Sequence, residues 1–131
     1  MIYDYNQHNF SLFIFLVIVM QKILQVGKTQ WISIQSPDIA TIERLTKEYG
    51  FHEMIVEDIL GVNAQSKIDT SSNHFFMALT FTKYIPEEAK YTFNELDAII
   101  GDSYIITTTG LESHTLNKVY DEIEKDIEKI D

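Results

Sequence analysis

Cysteine does not occur in this chain. Disulfides, thiolate nucleophiles and cysteine-ligated zinc are therefore excluded, and a reducing compartment is permitted. Proline occurs twice and glycine five times, and no repeat, low-complexity tract or internal linker is found. Bases are outnumbered, ten against twenty acids, for a formal net charge of −10. Such a field repels phosphate backbones and argues against nucleic acid as a partner, while it suits cations and basic partners. No apolar run reaches the roughly 20 residues that a bilayer-spanning helix needs. The most apolar stretch, FSLFIFLVIVM from Phe10 to Met20, has eleven. It does not read as a signal peptide, because residues 1–9 carry no Lys or Arg and no A-x-A pattern follows.

Catalytic signatures are missing as well. His8, His52, His74 and His114 never pair at metal-ligand spacing, so HEMIVED is not the H-E-x-x-H of a zinc protease. There is no P-loop and no G-x-G-x-x-G, and no serine sits in a nucleophile elbow. The chain is read as non-enzymatic.

What remains is a good deal of core. The 131 residues are 45% hydrophobic and 12% aromatic, which fits one domain that buries roughly two thirds of its unfolded surface. KILQV and WISIQ read as strands on either side of a turn at Gly27. Ser36-Pro37 offers a helix cap with proline at the first helical position. Ile42, Leu45 and Tyr49 keep helical spacing up to Gly50, a left-handed stop. A second helix over 53–60 puts Ile55 and Ile59 on one side and ends at Gly61. SKIDT is a short strand. His74 to Tyr84 is a stronger one, apolar on both faces and so expected to be an inner strand covered on both sides. YTFNELDAII and YIITTT form a hairpin about Gly101-Asp102-Ser103. Leu116, Val119, Tyr120, Ile123, Ile127 and Ile130 follow helical spacing to the last residue. The expected fold is α/β (α+β): a mixed, largely antiparallel sheet flanked by helices, ending in a long C-terminal helix that reads as cut short. Residues 1–19 form an apolar extension, with Met20 a candidate natural start, and residues 20–131 are the domain.

One segment concentrates charge. In YGFHEMIVEDIL, Tyr49 to Leu60, Glu53 and Glu57 share a helix face, while Asp58 points roughly 100° round. Like charges four residues apart cost a few tenths of a kcal/mol. A solvated face is the ordinary reading, yet adjacent carboxylates can also help hold a hydrated cation such as Mg²⁺, which keeps several waters. Spacing leaves both open.

Taken in order, Trp31-Ile32, Pro37-Asp38, YGFHEMIVEDIL, SKID, HFFMALTF and ELDAIIGDSYIIT resemble the cytoplasmic N-terminal domain of CorA-type magnesium/cobalt transporters. The similarity covers roughly residues 22–131. Where that family writes Gln-Arg-Pro-Lys, this chain has Ala64-Gln65-Ser66-Lys67, and only the lysine is kept. The pair of membrane helices and the Gly-Met-Asn pore signature are not in these residues. The resemblance implies a regulatory, divalent-metal-sensing domain of a pentameric Mg²⁺/Co²⁺ transporter at the cytoplasmic face of the cell membrane. By itself this fragment is then expected to be soluble and monomeric or weakly associated. The resemblance further implies that Glu57 and Asp58 form half of a weak regulatory Mg²⁺ site, shared with a neighbouring subunit. A domain of a ZntB-type zinc transporter and a stand-alone binding module of the same fold are the alternatives.

Overall fold

The computed structural model describes residues 21–61, 66–71, 73–110 and 113–130. The apolar run at 10–19, the candidate start at Met20 and Ala64-Gln65 lie outside them. Strands β1 (Gln21–Val26) and β2 (Thr29–Gln35) form the first hairpin. Helix α1 (Ile39–Tyr49) follows, and here the expected cap shifts by two residues. Asp38, not Ser36, accepts the Thr41 N–H, at 2.8 Å, and Pro37 stands before the helix rather than in it. Ser36 is occupied elsewhere. At φ +49 its hydroxyl donates to the Gly110 carbonyl at 2.6 Å, and its N–H donates to the Thr109 carbonyl. Gly50, at φ +71, ends α1 by giving its N–H to Thr46 O, a left-handed geometry that glycine adopts without a Cβ clash.

Helix α2 (Glu53–Leu60) leads towards β3 (Lys67–Thr70). The long strands β4 (Phe75–Ile85) and β5 (Lys90–Ile100) are joined by a 3₁₀ turn at Pro86–Glu88. A tight turn then leads into β6 (Tyr104–Thr109), and α3 (His114–Ile130) completes the fold. Gly101 is needed in that turn because a Cβ there would lie 2.2 Å from the Tyr104 ring. The sheet order is β1-β2-β6-β5-β4-β3. Only β2 and β6 run parallel; the other neighbours are antiparallel. The mixed, largely antiparallel sheet expected from the sequence is the one found.

Alternation of side chains along the strands gives the sheet two apolar faces. On one, Ile42 and Leu45 of α1 and Ile55 and Ile59 of α2 pack on Ile32, Ile34, Phe76, Ala78, Ile99 and Ile106. Each such aliphatic side chain contributes about 1.5–3 kcal/mol when fully buried. On the other, Tyr120 of α3, with Leu116, Ile123 and Ile127, covers Leu24, Trp31 and Ile105. Because α3 sits over β1, β2 and β6, the expected double cover of β4 is complete on one side only. Phe76 and Ala78 are buried, whereas Phe75, Met77 and Leu79 are half-buried and Phe81 is exposed.

Candidate functional site

Helix α2 is positioned by its apolar side. Ile55 and Ile59 are buried in the core, which turns Glu53 and Glu57 to solvent and leaves Asp58 at the margin. His52 is the N-cap, its Nδ1 accepting the Met54 N–H at 3.2 Å. That is a structural role which satisfies one of the four unpaired amides at a helix start.

Asp58 and Glu57 are neighbours in sequence but stand in different surroundings. Asp58 lies opposite β3, where its Oδ2 is 2.5 Å from Lys67 Nζ. Lys67 also reaches Asp69 at 3.5 Å, and its ammonium lies 5.8 Å from the centre of the Phe76 ring. The hydrogen bond to Asp58 holds the lysine above its ordinary pKa, against the opposing effect of desolvation. The Asp58 side chain is 19% exposed and that of Lys67 34%. Water screens a partly solvated ion pair of this kind, so it adds little to stability.

Beside this pair is a cavity of about 250 Å³, lined by His52, Asp58, Asp69, Ser71, His74 and Phe76 among others. His74 is buried, and among the described residues neither of its ring nitrogens has a hydrogen-bond partner. Its backbone carbonyl accepts from both the N–H and the hydroxyl of Ser71, and its ring meets Phe51 edge-on at 5.5 Å. Burial, and secondarily the charge on His52, lower its pKa below the ordinary histidine value. The fold thus favours the neutral form of His74. Its contribution is fully present above the unfolded pKa near 6.5 and is lost as pH falls through the lowered folded value. Denaturant unfolding at pH 7 and pH 5 should show this loss, and His74→Leu should narrow the difference between the two.

A second buried acid sits deeper under the same face. Asp97 of β5 is 4% exposed, pairs in register with Thr108 and Ala78, and accepts from the Thr108 hydroxyl at 3.5 Å. Among the described residues no group donates to its Oδ1. Burial pushes its pKa to about 8, helped by a hydrogen bond with Glu95, by the charge of Glu95 and, least, by Asp58. Near neutral pH burial thus favours the protonated form of the Asp97 carboxyl, whose O–H is a donor for Glu95.

Among the described residues no three His, Asp or Glu side chains are grouped so as to hold a metal ion. The site is therefore not a closed cage. Its donor chemistry does suit a hard, hydrated divalent ion, for which one or two carboxylates and several waters suffice. A larger cavity, about 380 Å³, lies on the α3 side among Phe81, Lys83, Leu96, His114, Leu116 and Val119. Its lining mixes Lys83, Glu95 and His114 with apolar side chains, whereas the smaller cavity is the one beside Asp58.

The sequence offered Glu53, Glu57 and Asp58 as charge on one helix and singled out Glu57 and Asp58 only through the family resemblance, and the fold brings Asp58 together with Lys67 and Asp69 while Glu57 stays on the exposed face. It did not single out Asp97 or His74. An acid inside the apolar run of β5 was the available signal for the first; the second had none, because a lone histidine at the start of a strand carries no pattern.

A six-stranded sheet with two helices on one face and a third on the other defines the class: it is the fold of CorA and ZntB cytoplasmic domains. The full CorA magnesium transporter of Methanocaldococcus jannaschii aligns with a TM-score of 0.60 at 14% identity, over 75% of this chain and 30% of that one. The soluble domain of CorA from the same organism gives 0.61 at 12%, over 75% and 38%. The ZntB cytoplasmic domain of Vibrio parahaemolyticus gives 0.57 at 10%, over 77% and 41%. The chain thus spans 30–41% of the length of these proteins. Among curated proteins nothing matches. The sequence model of the CorA-like Mg2+ transporter protein family matches residues 26–131, and the chain belongs to that family. Among the described residues no helix is long and apolar enough to cross a membrane.

Proposed function

We propose that this domain is the metal-responsive regulatory part of a CorA-like divalent-cation transporter, placed at the cytoplasmic face of the cell membrane and without a catalytic role. In this reading Glu57 and Asp58 supply half of a weak Mg²⁺ site, and a neighbouring subunit of the pentamer supplies the rest. The observation that carries it is the setting of Asp58, a half-buried carboxylate at the end of α2 that already attracts a positive charge across to it. Family membership gives that carboxylate its context.

The electrostatics support the same reading. Subunits that each carry a net charge of −10 repel one another when packed side by side, and ions between them relieve the repulsion. A ligand biases such an equilibrium only by its differential affinity for the two states. A site of few carboxylates and many waters is weak enough to respond in the millimolar range rather than to stay filled. Mg²⁺, when bound, supplies charge neutralisation between subunits; the residues of this chain supply the carboxylates and fix where they stand.

In the full-length transporter, Asp58→Ala should shift the Mg²⁺-dependent protection from protease to higher Mg²⁺. Superimposed protection curves for variant and wild type would overturn the assignment.

A further inference from the structure

Lys67 has an unusual place for the lysine of so acidic a chain. Its backbone is fixed by the β3–β4 ladder, where it pairs in register with Ala78, so its Cα cannot drift away from α2. Its ammonium is 2.5 Å from Asp58 and 3.5 Å from Asp69, on the Phe76 ring. The ammonium thus stands where two carboxylates from different elements converge, one from α2 and one from β3. The adjoining cavity has a second mark of a ligand site besides its acids. His74, 8% exposed, lines it with both ring nitrogens unpartnered among the described residues, and a buried polar group left so costs stability unless something joins it. Lys67 itself keeps a way out, since a third of its side chain is open to solvent.

We infer that Lys67 is a tethered counter-cation: its ammonium occupies the place at Asp58 that a divalent ion takes, so that ion binding is an exchange which drives the lysine out to solvent. The inference rests on the reading of Asp58 given above and adds its regulation. The carboxylates are never left bare, because one cation leaves as the other arrives. The threshold of response is set by the strength of the Lys67 pair as well as by the ion's own affinity. The cavity beside the pair gives the incoming ion room for part of its water shell, with His74 as a nitrogen acceptor for one of those waters.

The test uses the whole chain and Mg²⁺ alone. In the wild type, the rate at which acetic anhydride labels the Lys67 amine, read by mass spectrometry against the exposed Lys118 as internal control, should rise as Mg²⁺ is raised into the millimolar range. Lys67→Met keeps the aliphatic stem and removes the charge. It should lower the Mg²⁺ concentration for half-response of the α2 amide resonances about fivefold, the exchange cost of a partly exposed ion pair. Asp58→Asn should abolish that response. If Asp58→Asn abolishes it while Lys67 labelling is flat and Lys67→Met binds no tighter, the exchange is wrong and the Asp58 site stands. If Mg²⁺ moves nothing that Asp58→Asn removes, both fall together. The labelling readout needs no variant, so a poorly folding Lys67→Met does not shield the idea.

Discussion

Replacing Trp31 by alanine should destabilise the protein by about 3–5 kcal/mol, the usual cost of deleting a large buried aromatic. Trp31 is the only tryptophan; its ring joins α3 to the sheet and its indole N–H ties β2 to β6. Its ring lies 5.2 Å from that of Tyr120 at a tilt of 56°, and its Nε1–H donates to Thr107 Oγ1 at 3.0 Å. Alanine would remove the ring contact, leave a void under the helix and orphan a buried threonine hydroxyl. The loss should also be uneven. The α3 face is a small cluster built on Leu24, Trp31 and Tyr120, separate from the larger one under α1 and α2. Hydrogen exchange of Trp31→Ala should therefore quicken in α3 before it quickens in α1 or in the central strands. Equal acceleration everywhere would mean that the two clusters act as one cooperative unit.

Asp97→Asn should change stability little near pH 4 and stabilise the protein increasingly from there up to about pH 8, on the order of several kcal/mol. In the fold the Asp97 pKa is raised to about 8, far above its value in an unfolded chain. Between those two values the folded protein holds a proton that the unfolded chain has released. The stabilisation is full below the unfolded pKa and is lost as pH rises through 8. Asparagine keeps the shape and a hydrogen-bond donor for Glu95 without the obligation to ionise. Unfolding curves at pH 5, 7 and 9 would show the variant and the wild type diverging with pH; parallel curves would mean that Asp97 is ionised in the fold. His74 has the opposite slope, losing its contribution on acidification. The two buried groups thus drive the pH dependence of stability in opposite directions.

Much of this architecture was legible in the residues because periodicity reports burial. Alternation in WISIQ and YIITTT marked strands, and the spacing of Ile42 and Leu45 and of Ile55 and Ile59 marked the helix faces that the core does bury. The cap of α1 was misplaced by two residues for a tertiary reason. Ser36 has the right chemistry for a cap, but its hydroxyl and amide are engaged by the end of β6, 74 residues away. The parallel pairing of β2 with β6 and the single-sided cover of β4 were not legible either, since both depend on which strands meet. The site divides in the same way. Glu57 and Asp58 were marked out by the family resemblance, but the lysine facing Asp58 comes from a strand. The burial of Asp97 and His74 follows from what α2 and the strands happen to cover.

The position of β6 in the sheet order has a consequence for the order of assembly. Strands β3 to β6 form a meander in which each strand pairs with its sequence neighbour, and β1–β2 is a hairpin; both can close early with short loops. The seam between them cannot. It pairs Trp31 with Ile105 and Ile34 with Thr108, across a stretch of chain that includes both α1 and α2. While a ribosome is still making the chain, β2 therefore carries an unpaired inner edge of WISIQ until β6 has emerged, and unpaired edges of that composition recruit other strands. Synthesis that stalls between the two should produce an aggregating intermediate, and the docking of hairpin on meander should be the slow step that makes the domain.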